Sequence, residues 1–478
     1  MLASLTSKKW GWQKKSLRTV YITMQRSVMD YAAAAWQPWL SKTQTKKLET
    51  TQNKALRLIS GQYSSTPTEA LNLETGIERY ETISKRWTAK AYEKAKRLEE
   101  DHPRYKALNA AAAPHRIKRR SSWRQEAEKL NSSLPLGQLE RAPLPKPVQR
   151  PWTASEDFMQ WNTSTELKEI TPAISVQQDQ APWDFNPPDI EERKKNIQAE
   201  AAIQTIDSYD VDTVIYTDGS CAGGIEEGGA AAIVTTGTAR TPVVLETLQK
   251  RGSRYTCSYD EERSAMLLAL DWMNTNSRST DAVICTDSQA LVRALDNNTL
   301  DTVEIREKLN RLKGIVNIQW VPAHCNVPGN ELAYQSAKEI ARSGEPAVPL
   351  ISYKTSLAVI NREIKDPPAQ HPVVSKTYEH ISQKKDAKIK TRKEAAMLAQ
   401  LRSGHCLQLA AYQHRLDEKK SETCPRCNLE PETVQHWLDC PATSLMRLSV
   451  FGDMNVPLGT LSKDPDKVLA FARKTLLD

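Results

Sequence analysis

The chain has 478 residues, of which 39% are hydrophobic and 26% charged, and its formal net charge is +8. At roughly 150 residues per domain, this length predicts about three domains, and the polar balance predicts folded parts joined by exposed linkers. No run of about 18 apolar residues occurs, which excludes a membrane-spanning helix.

Residues 1–11 lack the apolar core and small-residue cleavage site of a secretion signal. The eight cysteines are irregularly spaced, unlike a disulfide framework, so an intracellular compartment, nuclear or cytoplasmic, is expected. Charge is unevenly placed. Residues 1–120 carry 24 Lys and Arg against 10 Asp and Glu, whereas residues 211–345 carry 13 against 18. A basic arm beside an acidic domain predicts a polyanion gripped by one part and worked on by the other.

In chain order, residues 12–100 predict basic helices. Apolar residues recur at helical spacing at Leu17, Tyr21, Met24, Val28 and Tyr31, and again at Leu48, Ala55, Leu56 and Ile59, with Gly61 as the stop. Pro67 opens a third stretch, and residues 77–98 continue as a charged amphipathic helix. Residues 111–200 hold ten of the 26 prolines and the basic cluster Arg116, Lys118, Arg119 and Arg120, and they predict a partly extended linker.

Residues 211–345 change character. Strands are predicted at 214–216, 230–234, 242–245, 282–285 and 316–321, and helices at 260–273, 288–295, 303–312 and 331–341. This order predicts an α/β fold, a mixed five-stranded sheet flanked by helices. Residues 376–420 read as helical and basic, with Lys384, Lys385, Lys388, Lys390, Arg392 and Lys393 close together. The expected plan is a basic helical segment at 1–110, a Pro-rich linker at 111–205, the α/β domain at 206–346, and a basic helical region with a small cysteine-histidine unit at 347–478.

Asp218 and Asp287 each stand at the end of a predicted strand, and Glu262 lies near the start of the helix between them. Carboxylates at strand ends of such a sheet face one crevice. Three of them make an oxygen-rich site suited to Mg²⁺, and two-metal chemistry hydrolyses phosphodiesters. Glu261 is the neighbouring alternative to Glu262. Farther on, Cys424-x2-Cys427-x8-His436-x3-Cys440 supplies three thiolates and an imidazole at the spacing of a structural, tetrahedral Zn²⁺ site. His405 and Cys406 are competing ligands at poorer spacing. Lys419, Lys420, Arg426 and Arg447 flank the unit and suit a phosphate backbone.

Four stretches together resemble the ribonuclease H family: residues 216–220 (Tyr-Thr-Asp-Gly-Ser), 262–265 (Glu-Arg-Ser-Ala), 286–291 (Thr-Asp-Ser-Gln-Ala-Leu), and 320–324 (Trp-Val-Pro-Ala-His) running into Pro328, Gly329, Asn330 and Glu331. The resemblance implies metal-dependent hydrolysis of the RNA strand of an RNA–DNA hybrid. Asp218, Glu262 and Asp287 would hold two Mg²⁺ or Mn²⁺ ions, and His324 would serve proton transfer or product release. Spacing to Ala265 and Ala269 favours Glu262 over Glu261. The family's fourth carboxylate is replaced by Tyr334, a poor Mg²⁺ ligand, so the second ion is expected to bind more weakly, with Glu331 one turn earlier as a partial substitute.

The cysteine-histidine unit, with residues 399–405 before it, resembles the carboxy-terminal end of non-LTR retrotransposon polyproteins. Residues 31–36, 47–49, 52–53, 56–61, 66–67 and 74–77 resemble the thumb-like helical segment that follows the polymerase palm in those elements. No Tyr/Phe-x-Asp-Asp motif occurs, so DNA synthesis by this chain alone is not expected. The implied partners are an RNA–DNA hybrid and single-stranded RNA, not a membrane. Recognition would rest on backbone shape and 2′-hydroxyls, with salt-sensitive help from the basic helices and the zinc unit. Two other readings are a catalytically degenerate nucleic-acid-binding remnant, which Tyr334 suggests, and a transposase or integrase nuclease, which the His324 loop and the Thr-Asp-Gly-Ser entry disfavour.

Overall fold

The computed structural model of the chain describes residues 2–6, 11–37, 40–110, 123–144, 161–169, 187–276, 281–343, 350–382, 386, 389 and 391–476. The basic residues Arg116, Lys118, Arg119, Arg120, Lys384, Lys385, Lys388 and Lys390, and most of the prolines of the expected linker, lie outside them. The chain divides into two compact units, one of residues 1–91, 115–130 and 364–478, the other of residues 92–114 and 131–363. Among the described residues no helix is long and apolar enough to cross a membrane.

The second unit is built on a six-stranded sheet. Its strands are β1 (Trp161–Ser164), β2 (Thr213–Ala222), β3 (Glu226–Thr238), β4 (Thr241–Arg251), β5 (Ala282–Thr286) and β6 (Val316–Trp320), in spatial order β1-β6-β5-β2-β3-β4. The first four in that order are parallel, and β2, β3 and β4 form an antiparallel meander. Its helices include α1 (Pro187–Ile206), α2 (Ser258–Thr275), α3 (Gln289–Asp296), α4 (Val303–Leu309), α5 (Pro328–Ile340) and α6 (Tyr353–Glu363).

Strand side chains alternate between the two faces. Ile215 of β2 faces a core with Met266, Leu270, Leu291 and Ile305 from α2, α3 and α4, while Val214 and Tyr216 face the opposite core with Ile206 of α1 and Ala333 of α5. The fold class is the expected one, a mixed sheet flanked by helices, with one strand more than the predicted five. The added strand comes from the expected linker. Trp161 to Ser164 pair in parallel with Val316 to Gln319, and Trp161 is buried in the core with its indole N–H donating to Asn310 Oδ1 at 3.1 Å. A four-residue strand is too short to carry a period, and only its pairing and the buried indole define it. Trp123–Ser132 and α1 are helical as well, so the linker assignment fails at these places.

The first unit is helical and joins the two ends of the chain in one body rather than two separate regions. Lys42–Ser60 opens with a capping box between Ser41 and Gln44 and stops at Gly61, whose φ of +73° suits glycine. The N-terminal apolar stripe does not continue as predicted. Leu17 and Tyr21 are buried, but Val28 and Tyr31 are 74% and 81% exposed. Residues Tyr21–Arg26 are wound as a π-helix, and this wider turn rotates later residues off the face set by the first ones.

One buried cation, one partly buried cation and two buried anions tie the ends together. Lys14 Nζ lies 2.8 Å from Glu74 and 2.9 Å from Asp386, and Arg402 lies 3.2 Å from Glu74 and 2.8 Å from Asp386. Opening such a group leaves charges buried without partners. Arg402→Ala is therefore expected to destabilise this unit by about 3–5 kcal/mol in a denaturant titration. A loss below about 1 kcal/mol, typical of a solvated surface pair, would contradict that.

Candidate functional site

Pairing sets the first two carboxylates side by side. Thr217 of β2 is in parallel register with Thr286 of β5, so the next residues lie one strand spacing apart, about 4.8 Å: Asp218, which stands within β2 opposite Ala231 rather than at the strand end expected, and Asp287, which follows the end of β5. Thr217 Oγ1 donates to the Cys285 carbonyl at 3.0 Å and fastens this end of the pair. The Trp320 indole donates to the Asp287 carbonyl at 3.1 Å and fixes the backbone where β5 ends.

Glu262 arrives from the start of the second turn of α2. A Cβ on Gly219 would stand 2.2 Å from the Glu262 nitrogen, so a side chain there would push α2 off the strand. The Gly219 backbone and the Thr286 side chain face the Glu262 carboxyl and oppose the upward shift that burial imposes on it. The ligand atoms of Asp218, Glu262 and Asp287 all lie within 4.8 Å of one another.

These carboxylates strain against their surroundings. Burial, followed by the charges of Asp287 and Glu331, pushes the Asp218 carboxyl up to about 7. Burial with Asp287 and Asp218 beside it raises Glu262 well above the usual range. Burial also raises Asp287, against an opposing hydrogen bond from Asn330 and the neighbouring His324. Asp218 Oδ2 and Glu262 Oε2 are buried with no hydrogen-bond partner. A divalent cation would satisfy both orphaned oxygens and relieve the repulsion, so the donor set fits Mg²⁺ or Mn²⁺.

The sign of the pH dependence follows. Asp218 rises from an ordinary 3.8 to about 7, so the folded chain keeps a proton that the unfolded chain has released in that window. Its contribution to stability is fully present below the unfolded value and is lost as pH rises through about 7. Cation binding must displace that proton. The rise in melting temperature caused by added Mg²⁺ is therefore expected to be larger at pH 8 than at pH 6. An equal or larger rise at pH 6 would contradict this.

The remaining sequence candidates separate clearly. Glu261 turns the other way, accepts from Thr256 Oγ1 at 2.7 Å, and sits where Cβ atoms on Gly228 or Gly252 would collide with its carboxylate. Glu331 is close enough to raise Asp218 and Asp287 but does not join the three-carboxylate group. His324 is exposed on the loop before α5 at a φ of +52°. Tyr334 packs edge-on against its ring, with centroids 4.9 Å apart, and Lys338 lies 3.4 Å from the Tyr334 hydroxyl. That contact was invisible in the sequence, where Tyr334 read only as a missing carboxylate.

In the first unit, Cys424, Cys427, His436 and Cys440 also bring their ligand atoms within 4.8 Å. Cys424 and Cys440 sulfurs are 3.8 Å apart, and Cys427 Sγ is 3.2 Å from His436 Nε2. Glu430 lies 3.3 Å from His436 Nδ1, which leaves Nε2 facing the thiols. Three sulfurs and one imidazole nitrogen suit tetrahedral Zn²⁺. The chain turns between Cys424 and Cys427 because the Asn428 N–H donates back to the Cys424 carbonyl at 2.9 Å. Thr433 then caps the helix that carries His436.

His405 and Cys406 are not part of this group. His405 bonds the Ser403 carbonyl at 2.8 Å, and Cys406 donates to Gln408. Two of the flanking cations do not suit phosphate either. Arg447 is buried and donates to the Leu438 and Cys440 carbonyls at 2.6 and 3.2 Å, and Arg426 pairs with Glu432 and the Thr475 carbonyl. They hold the unit together.

Residues 210–342 match the RNase H family model. No curated protein sequence matches the chain. Similar solved structures include LC11-RNase H1 in complex with RNA/DNA hybrid, 16% identical over 27% of this chain and 97% of that one, with a TM-score of 0.23. They also include RNase H1 from the halophilic archaeon Halobacterium salinarum NRC-1, 20% identical over 27% and 96%, with a TM-score of 0.23. A third is the foamy viral protease-reverse transcriptase in complex with dsDNA, 17% identical over 28% and 96%, with a TM-score of 0.24.

Proposed function

Because residues 210–342 form an RNase H domain, we propose that the chain hydrolyses the RNA strand of RNA–DNA hybrids. The observation that carries this reading is the convergence of Asp218, Glu262 and Asp287 with two buried carboxylate oxygens left without partners. A bound pair of Mg²⁺ ions supplies an activated water and charge neutralisation at the leaving oxygen. The chain's own residues hold the site. Asp218 and Asp287 anchor it from the rigid sheet, Glu262 closes it from α2, and His324 on its exposed loop is available to exchange a proton with the departing strand.

The reading predicts that RNA in a hybrid is cut in the presence of Mg²⁺ or Mn²⁺, while RNA–RNA and DNA–DNA duplexes of the same sequence are not. Cleavage of the DNA duplex would instead favour a transposase-like nuclease. Tyr334 supports a second reading, a remnant that binds hybrids without cutting them. The two are separated by Tyr334→Asp, which is expected to raise cleavage at low Mg²⁺ on the order of tenfold by adding a hard ligand. No gain would mean that this position does not limit activity.

The cysteine-histidine unit is read as a structural Zn²⁺ site. The motifs at 31–77 and 399–440 further support placing the chain in a retrotransposon protein, downstream of a polymerase. In that role the basic helices of residues 1–110 would add salt-dependent affinity for nucleic acid, in the nucleus or cytoplasm.

A further inference from the structure

Segments outside the RNase H match reach the helix that carries Glu262. Helix α2 has no side-chain cap of its own at Cys257, although a helix start leaves N–H groups in need of partners. A partner comes from α6. Thr355 Oγ1 accepts from the Cys257 N–H at 3.0 Å and donates to Asp260 Oδ2 at 2.6 Å. The same Asp260 oxygen accepts from Ser352 Oγ and from Cys257 Sγ. Ser352 Oγ in turn accepts from the Thr355 N–H at 3.0 Å.

The start of α6 is itself gripped from behind. Arg97, with its side chain fully buried, donates to the Ile351 carbonyl at 2.7 Å, the Ser352 carbonyl at 3.2 Å and Ser356 Oγ at 2.6 Å. Glu93 balances its charge at 3.5 Å and also binds Arg141 at 2.8 Å. Residues 140–141 pair in parallel with 350–351 and complete this bracing. A continuous run of buried and partly buried polar contacts thus leads from Glu93 to the first turn of α2.

Geometry gives this run a consequence for the site. Asp260 and Glu262 are two residues apart on a helix, so their side chains point about 200° apart around its axis. Holding Asp260 on one side fixes the rotation of the turn that aims Glu262 to the other. We propose that Ser352 and Thr355 act through Asp260 as positioning residues for Glu262, so that segments 92–97, 140–142 and 350–356 set the metal affinity of the carboxylate site. This rests on the ribonuclease reading only for its effect on cleavage. The effect on metal binding stands apart from it.

The test uses the full chain and Mn²⁺ as the probe, with binding followed by electron paramagnetic resonance and the carboxylate site identified as the fraction lost in Asp218→Asn. Thr355→Val is expected to weaken Mn²⁺ binding there about tenfold, the usual effect of removing a group that orients a ligand. KM for the hybrid should be unchanged, and Thr355→Ser should restore the affinity. Wild-type Mn²⁺ affinity in Thr355→Val would overturn the proposal, whatever happens to the melting temperature. If Thr355→Val does not fold, Ser352→Ala removes one of the donors to Asp260, and unchanged Mn²⁺ affinity in it is equally fatal. Wild-type chain that binds Mn²⁺ in a Thr355-dependent way yet cuts no hybrid would refute the ribonuclease reading and support this one.

Discussion

Glu262→Gln is expected to lower hybrid cleavage by about 10³-fold or more, while Glu261→Gln leaves it within a factor of a few. The two carboxylates are adjacent in sequence and both are buried, so composition and burial alone predict equal effects. Their surroundings differ. Glu262 shares a 4.8 Å group with Asp218 and Asp287 and has an unpartnered oxygen. Glu261 is satisfied by Thr256 in a recess lined by Gly228 and Gly252. Losing a ligand to a catalytic cation removes several kcal/mol of transition-state stabilisation, and each 1.36 kcal/mol is about tenfold in rate. Glutamine at 261 still accepts from Thr256, so its effect should appear in melting temperature rather than in turnover. The reverse order of effects would place the metal site on the wrong face of α2.

Chelation of Zn²⁺, or Cys424→Ser, is expected to unfold the carboxy-terminal part of the first unit and to release one zinc per chain. The helix that carries His436 packs into the core of that region through Val434, Trp437 and Leu438. Trp437, next to His436, is fully buried and packs on Phe471 at 5.0 Å. Zinc sites of this type contribute about 10–16 kcal/mol of apparent binding free energy in small peptides, which exceeds the stability of most domains. Elemental analysis of the purified chain and calorimetric melting before and after chelation read both effects. A chain that carries no zinc and melts identically with chelator would contradict the assignment.

Much of the α/β domain was legible because its elements carry full periods. Five strands and four helices between residues 213 and 340 showed alternation or helical spacing, and Asp287 stood out just past a strand end, whereas Asp218, read as a strand end, lies within a strand that continues to Ala222. What escaped was set by contacts distant in sequence. Trp161 belongs to a strand only because β6 pairs with it. Arg402 lies in the stretch read as helical and basic, yet it is fully buried against Glu74 and Asp386. Arg426 and Arg447 looked available to phosphate and are taken up by carbonyls and Glu432. Met24, Val28 and Tyr31 kept helical spacing, but Met24 lies within the π-helix, Val28 and Tyr31 follow it, and all three are turned outward. Charge and spacing identify a residue's chemistry, while nonlocal partners decide whether that chemistry faces solvent.

The most direct test of the central claim is cleavage of a hybrid labelled on its RNA strand, in Mg²⁺ and in Mn²⁺, by the full chain and by Asp218→Asn. The account predicts cleavage by the chain and its loss in Asp218→Asn, with hybrid binding retained. Tight binding without cleavage in either metal, or cleavage that survives Asp218→Asn, would contradict it.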